Sequence, residues 1–90
     1  MTRVQIKPFF TLHDIISPGE FNLDDGDKTM GALMKQLSSR NGAKLRKVVN
    51  SETGEVTFFR IVLNGRHCTD VKTELHDGDV IEFYPAMAGG

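Results

Sequence analysis

Sulfur is scarce in this chain. A single cysteine, Cys68, among 90 residues excludes an internal disulfide, a thiolate zinc knuckle and a four-cysteine iron–sulfur cluster, each of which needs several sulfurs at set spacing. A reducing, cytoplasmic setting is the expectation that follows. Long apolar runs are missing too. No stretch approaches the roughly 18 apolar residues of a membrane span, and the start, Met1-Thr2-Arg3-Val4-Gln5-Ile6-Lys7, has a polar residue at every second place. Neither export nor a membrane partner is expected. There is no surplus of one charge either: 11 Lys and Arg against 12 Asp and Glu leave a net charge of -1. Binding to a phosphate backbone depends on a basic excess, so nucleic acid is not expected as a partner. A chain this short lacks room for a second core or a deep cleft walled by its own residues. Any chemistry is expected at a surface, an edge or a terminus.

What is present reads as a mixed α and β pattern. From Arg3 to Leu12 the residues alternate, with Val4, Ile6, Pro8, Phe10 and Leu12 on one face and Arg3, Gln5, Lys7, Phe9 and Thr11 on the other, as a half-buried strand requires. Pro8 cannot donate to a ladder, so an irregularity is expected there. Ser17-Pro18-Gly19 supplies a turn, and Glu20 to Asp24 reads as the returning strand. After a polar loop, Thr29 is a candidate N-cap. Met30, Leu33, Met34 and Leu37 then recur at helical spacing, and Asn41-Gly42 offers a stop with positive φ. A methionine stripe at this spacing is core packing rather than a ligand set. Leu45, Val48 and Val49 suggest a short second helix, followed by a turn over Ser51-Glu52-Thr53-Gly54-Glu55. Val56 to Leu63 predicts a strand with Thr57, Phe59, Ile61 and Leu63 on one face, and Asn64-Gly65 a hairpin into Arg66-His67-Cys68. After the turn Asp77-Gly78-Asp79, the last strand, Val80 to Tyr84, is expected to stop at Pro85.

This order describes an α+β, β-grasp (ubiquitin-like) fold: a mixed sheet of four to five strands packed on one main helix, with the first and last strands side by side at the centre. The expected division is a domain over residues 1–85 and a tail over 86–90. One sheet face stays open to water, and alternation places Phe9, Phe58 and Tyr84 there. Large rings on an open face are candidates for docking a partner.

The chain closes on Ala88-Gly89-Gly90. At a background glycine frequency of about 7%, two terminal glycines arise by chance in roughly one chain in two hundred. The bland reading is a frayed tail. The functional reading is that residues without a β-carbon thread a narrow passage and bring the main-chain carboxyl to a reactive centre in another protein. A carboxylate with a pKa of about 3.3–3.7 is ionised at neutral pH and is a poor electrophile. It reacts only after activation, for which an acyl-adenylate supplies AMP as leaving group. The chain has no phosphate-cradling Gly-rich motif of its own, so ATP belongs to a partner and no cofactor is expected on the chain. No catalytic residue is expected. Cys68 has no base to activate it and reads as a small, half-buried side chain, and His67, its neighbour on a strand, points to the other face, which argues against a metal pair. His13 and His76 read as surface or loop residues. Asp70, Glu74, Asp77, Asp79 and Glu82 suggest an acidic rim around the tail exit; solvated turn carboxylates are the alternative.

Two segments carry a resemblance. Ile61-Val62-Leu63-Asn64-Gly65, and Thr73-Glu74-Leu75-His76-Asp77-Gly78-Asp79-Val80-Ile81-Glu82-Phe83-Tyr84-Pro85 continuing through Ala86-Met87-Ala88-Gly89-Gly90, resemble the MoaD/ThiS family of ubiquitin-like sulfur carriers, which includes archaeal small modifier proteins. Leu45 to Glu55 looks like the insertion of MoaD-like members, and Phe9 to Leu12 with Thr29 to Leu37 match the family's first strand and helix. The resemblance implies that an E1-like enzyme of the MoeB/ThiF type adenylates Gly90 with ATP and that sulfur then makes a thiocarboxylate. The loaded tail would serve the MoaE-type large subunit of molybdopterin synthase, or form an isopeptide bond with a target lysine. Gly89 and Ala88 would be the tail, and Phe9 and Tyr84 would lie where the family docks. A noncovalent binding module with an incidental Gly-Gly tail is the alternative. Two departures from the family pattern stand out. Only Pro85 precedes the tail where the family commonly has two prolines, and Pro8 interrupts a strand usually unbroken.

Overall fold

The alternation at the start of the chain becomes burial: in β1 (Thr2–Pro8), Thr2, Val4, Ile6 and Pro8 are buried while Arg3 and Lys7 are exposed. The structure, a computed structural model, describes residues 2–23 and 26–85. β1 pairs antiparallel with β2 (Gly19–Leu23), from Thr2 opposite Leu23 to Ile6 opposite Gly19. On its other side it pairs in parallel with β5 (Val80–Pro85), from Gln5 opposite Val80 to Pro8 opposite Phe83. β3 (Phe59–Leu63) lies antiparallel to β5, and β4 (Arg66–Cys68) closes the sheet, giving the order β2-β1-β5-β3-β4. The first and last strands are therefore the central pair, as expected.

Helix α1 (Met30–Asn41) covers one face of this sheet and buries Met30, Leu33, Met34 and Leu37. Its start is closed on every side. The Thr29 hydroxyl accepts from the Ala32 N–H at 3.2 Å, and the Met30 and Gly31 amides donate to the Thr73 and Val71 carbonyls at 2.8 and 2.9 Å. The first-turn donors that a helix leaves unpaired are thus taken up by a cap and a crossing segment. Leu33 and Met34 share one buried cluster with Val4, Ile6, Leu23, Ile81 and Phe83. Among the described residues no helix is long and apolar enough to cross a membrane.

The structure departs from the sequence expectations at four places. The first strand does not run to Leu12: it ends at Pro8, and Phe10–Leu12 forms a 3₁₀ turn, which rotates Phe10 out of the core-facing alternation. The second helix, α2, is shorter than expected, Ala43–Arg46. Val48 and Val49 lie beyond it, Val49 forming an isolated bridge with Val56. That bridge, together with the Thr57 N–H donating to the Val48 carbonyl at 2.9 Å, commits residues 56–57 to a loop. The third strand accordingly begins at Phe59 after a turn through Phe58, whose φ is 71°. The final strand also takes in Pro85, which stands opposite Phe59.

The loop over residues 50–55 is knotted onto the helix. The Asn50 side-chain carbonyl accepts from the Glu52 and Thr53 amides, and this turn drives Gly54 against Gly31. A β-carbon on Gly31 would meet the Thr53 carbonyl oxygen at 2.5 Å, and one on Gly54 the Gly31 Cα at 2.5 Å. Two backbones touch here because neither residue carries a side chain. At an open helix position Gly→Ala gains about 1 kcal/mol. At Gly31 the sign is expected to reverse, with Gly31→Ala losing about 1–3 kcal/mol through overpacking, measured by urea denaturation.

Candidate functional site

The distinctive surface lies where the central parallel pair runs out. Pairing with β2 ends at Ile6, so Pro8 needs no ladder donor on that side and its missing N–H costs nothing. Its carbonyl is taken by His13, whose Nε2 lies 3.0 Å away. A carbonyl can only accept, so the imidazole proton sits on Nε2. One residue on, the Phe9 N–H donates to the Phe83 carbonyl at 2.7 Å, and the Phe9 carbonyl accepts from Leu12 at 2.8 Å. Leu12 and Ile16 enter the core. They pin a tight turn whose outer side holds two aromatic rings.

Phe10 is 71% exposed and Phe9 39% exposed. Their ring centroids are 4.6 Å apart, and Phe9 lies 5.9 Å from the ring of Tyr84, both pairs tilted. Three rings therefore form one ridge beside the end of β5, immediately before the chain passes Pro85. Such contacts are favourable tilted geometries, and an apolar ridge left in water is a candidate interaction surface. Phe9 and Tyr84 come together as the sequence reading expects. Phe10, expected inside, was the residue missed, and the signal that marks it is Pro8, which ends the strand two residues earlier.

Phe58 is corrected. It does not share the open sheet face by strand alternation: it precedes β3 with positive φ and is 72% exposed, and the ring contacts join Phe10, Phe9 and Tyr84 without it. On β3 the open face carries Arg60, opposite Tyr84, and Val62, opposite Glu82. The acidic rim is also corrected. Asp77 and Asp79 precede Val80, at the far end of a strand roughly 17 Å long. There Asp77 ties its turn to β1 by accepting from the Arg3 amide at 2.9 Å, and Asp79 closes the turn by accepting from the His76 amide at 2.8 Å. Asp70 likewise accepts from the Lys72 amide. Glu82 alone of the five stands beside Tyr84.

His67 and Cys68 occupy opposite faces of β4, the first exposed, the second half-buried against the core. Among the described residues no group of three or more His, Cys, Asp or Glu is arranged to hold a metal ion. Ala88, Gly89 and Gly90 lie outside the described residues.

Within the ridge, the Tyr84 hydroxyl donates to Glu82 Oε2 at 2.7 Å. This bond, followed by partial burial and the carboxylate charge, raises the phenol's pKa above its ordinary 10.0. Ionisation would remove the donor and set two negative charges side by side. The protonated phenol is the form the fold favours, so its contribution is present below pH 10 and is lost as pH rises through the folded value. Tyr84 is the one tyrosine and there is no tryptophan, which makes the phenol readable by absorbance. We expect a titration midpoint above 10.0 in the folded protein, falling towards the ordinary value in Glu82→Ala, where only the effect of partial burial is left.

Comparison with known proteins agrees with this architecture. The model of the ThiS family matches residues 9–90. A protein of Archaeoglobus fulgidus described as a sulfur carrier is 30% identical over 78 residues, covering 83% of this chain and 89% of the relative. Small archaeal modifier protein 3 of Haloferax volcanii is 27% identical and covers 97% of this chain and 98% of its own. The crystal structure of small archaeal modifier protein 1 from the same organism superposes with a TM-score of 0.72 at 21% identity, covering 97% of this chain and 100% of that one. The sheet order, with its central parallel pair under one helix, is the ubiquitin-like β-grasp. With a family match that reaches from Phe9 of the aromatic ridge to Gly90, the chain belongs to the ThiS family of sulfur carrier and small modifier proteins.

Proposed function

We propose that the protein carries its chemistry on the carboxyl group of Gly90 and docks through the Phe9–Phe10–Tyr84 ridge to an E1-like enzyme that activates it. In this reading a Gly90 carboxylate oxygen attacks the α-phosphorus of ATP held by the partner, and pyrophosphate leaves. The acyl-adenylate has lost the negative charge that repels nucleophiles. A sulfur nucleophile then attacks the carbonyl carbon, AMP departs, and a thiocarboxylate results once sulfur is left on the carbon. The loaded tail delivers sulfur to a MoaE-type subunit for molybdopterin synthesis, or an amine of a target lysine takes the place of sulfur and forms an isopeptide bond. Both routes share the adenylate and differ only in acceptor.

The observation that carries the proposal is the position of the ridge. Its three rings flank the last residues of the central strand, so a partner seated on them has the departing chain at hand. Gly89 and Gly90, with no β-carbons, suit a narrow channel. The family relationship supports the carrier role, since its relatives include proteins named for sulfur carriage and for modification. The exposure of Phe10 also favours a second reading, a noncovalent binding module with a passive tail.

Two measurements separate the readings. Deleting Gly90 is expected to abolish ATP–pyrophosphate exchange by the cognate activating enzyme while leaving thermal unfolding unchanged; retained exchange overturns the carrier mechanism. A residue added after Gly90 would do the same under the carrier reading and would matter little to a noncovalent module. Phe10→Ala and Tyr84→Ala are each expected to weaken the complex with that enzyme about tenfold or more, as buried aromatic anchors do. Phe58→Ala, outside the ring contacts, is expected to change it less than about threefold, read by calorimetric titration.

A further inference from the structure

The sequence contains two Asn-Gly pairs, Asn41-Gly42 and Asn64-Gly65. In a disordered chain this pair is chemically labile. The glycine backbone nitrogen, unhindered by a β-carbon on its own residue, gives up its proton to solvent base and bonds to the asparagine Cγ. The Cγ–Nδ2 bond breaks and ammonia leaves, closing a five-membered imide. Water opens the imide at either carbonyl, giving aspartate or isoaspartate. The sum is one water consumed and one ammonia released, with no oxidant, reductant or cofactor.

We propose that Asn64 is a deamidation site that the fold holds in check through Asp79. The Asn64 side chain is tethered at both ends: Nδ2 donates to Asp79 Oδ1 at 2.9 Å, and Oδ1 accepts from the Val80 N–H at 2.9 Å. Swinging Cγ onto the Gly65 nitrogen breaks both bonds. Asp79 is itself held, its other oxygen accepting from the His76 amide at 2.8 Å. Asn64 is exposed, so the restraint is this clamp and not exclusion of water. Asn41 is tethered as well, but to different groups: Nδ2 donates to the Leu37 carbonyl and Oδ1 accepts from the Ser17 amide, each at 3.0 Å.

Reaction at Asn64 would have structural consequences at the centre of the sheet. The aspartate product sets a second carboxylate against Asp79, a like-charge contact where a hydrogen bond had been. The isoaspartate product adds a backbone atom to a two-residue loop, whose length sets strand register. Either change loosens the attachment of the β3–β4 hairpin to the first residue of β5. The site thus acts as an irreversible marker of protein that has spent time unfolded.

The test follows both sites by peptide mass mapping, with isoaspartate resolved, in mildly alkaline buffer. In native protein both asparagines are expected to react slowly, and in urea both quickly. In folded Asp79→Ala, loss of one charge-assisted hydrogen bond is expected to speed reaction at Asn64 roughly ten- to a hundredfold, while Asn41, whose partners are untouched, keeps its native rate. Asp79→Asn, which retains an oxygen acceptor without the charge, is expected to fall between, and it serves with the same readouts if Asp79→Ala does not fold. The proposal is overturned if native Asn64 reacts as fast as in urea, if folded Asp79→Ala leaves its rate unchanged, or if the variant speeds both sites in parallel.

Discussion

The parallel pairing of β1 with β5 is the constraint on which the molecule depends. Parallel strands need both faces managed and a long connection between them, and here nearly the whole chain between Pro8 and Val80 is that connection. Val4 and Ile6 from one strand and Ile81 and Phe83 from the other present a continuous apolar surface, and α1 lies across it. β2, β3 and β4 extend the sheet outwards from this pair. β5, the last element among the described residues, thus lies at the centre of the sheet.

The same pair creates the aromatic ridge by ending. Once β2 stops pairing at Ile6, Pro8 is free to close the strand, and the His13 imidazole caps the carbonyl left over. The backbone then tightens into the 3₁₀ turn that sets Phe9 and Phe10 beside Tyr84. A residue that looked like a flaw in the first strand is therefore what positions the exposed rings. Under the proposed function, in which the chemistry is carried on the Gly90 carboxyl, such a ridge gives the partner a defined grip and the body needs no cleft.

The knot between the 50–55 loop and the helix start shows a different use of backbone. Gly31 and Gly54 let two main chains touch, while the Thr29 hydroxyl and the carbonyls of Val71 and Thr73 satisfy the helix donors. With those amides occupied, the helix N-terminus offers no anion site. The carboxylates of Asp77 and Asp79 are spent in the same way, on the amides of Arg3 and His76 and on the Asn64 clamp, which is why a cluster that suggested an acidic rim is instead architecture.

Much of this was legible from local chemistry. The stripe Met30, Leu33, Met34, Leu37 and the Thr29 cap mark the helix, because both depend on spacing within a few turns. Asn64-Gly65 marks its hairpin, since φ values of 51° and 84° are tolerated by few other pairs. The Gly-Gly end and the residues leading into it marked the family. What the chain alone could not decide was which rings would meet. Phe10 and Phe58 follow strand alternation on paper, yet a proline two residues before Phe10 and the Val49–Val56 bridge before Phe58 take each out of the sheet. Alternation describes a strand only for as long as a neighbouring strand supplies hydrogen bonds, and where that supply stops is settled by residues distant in sequence and brought close by folding.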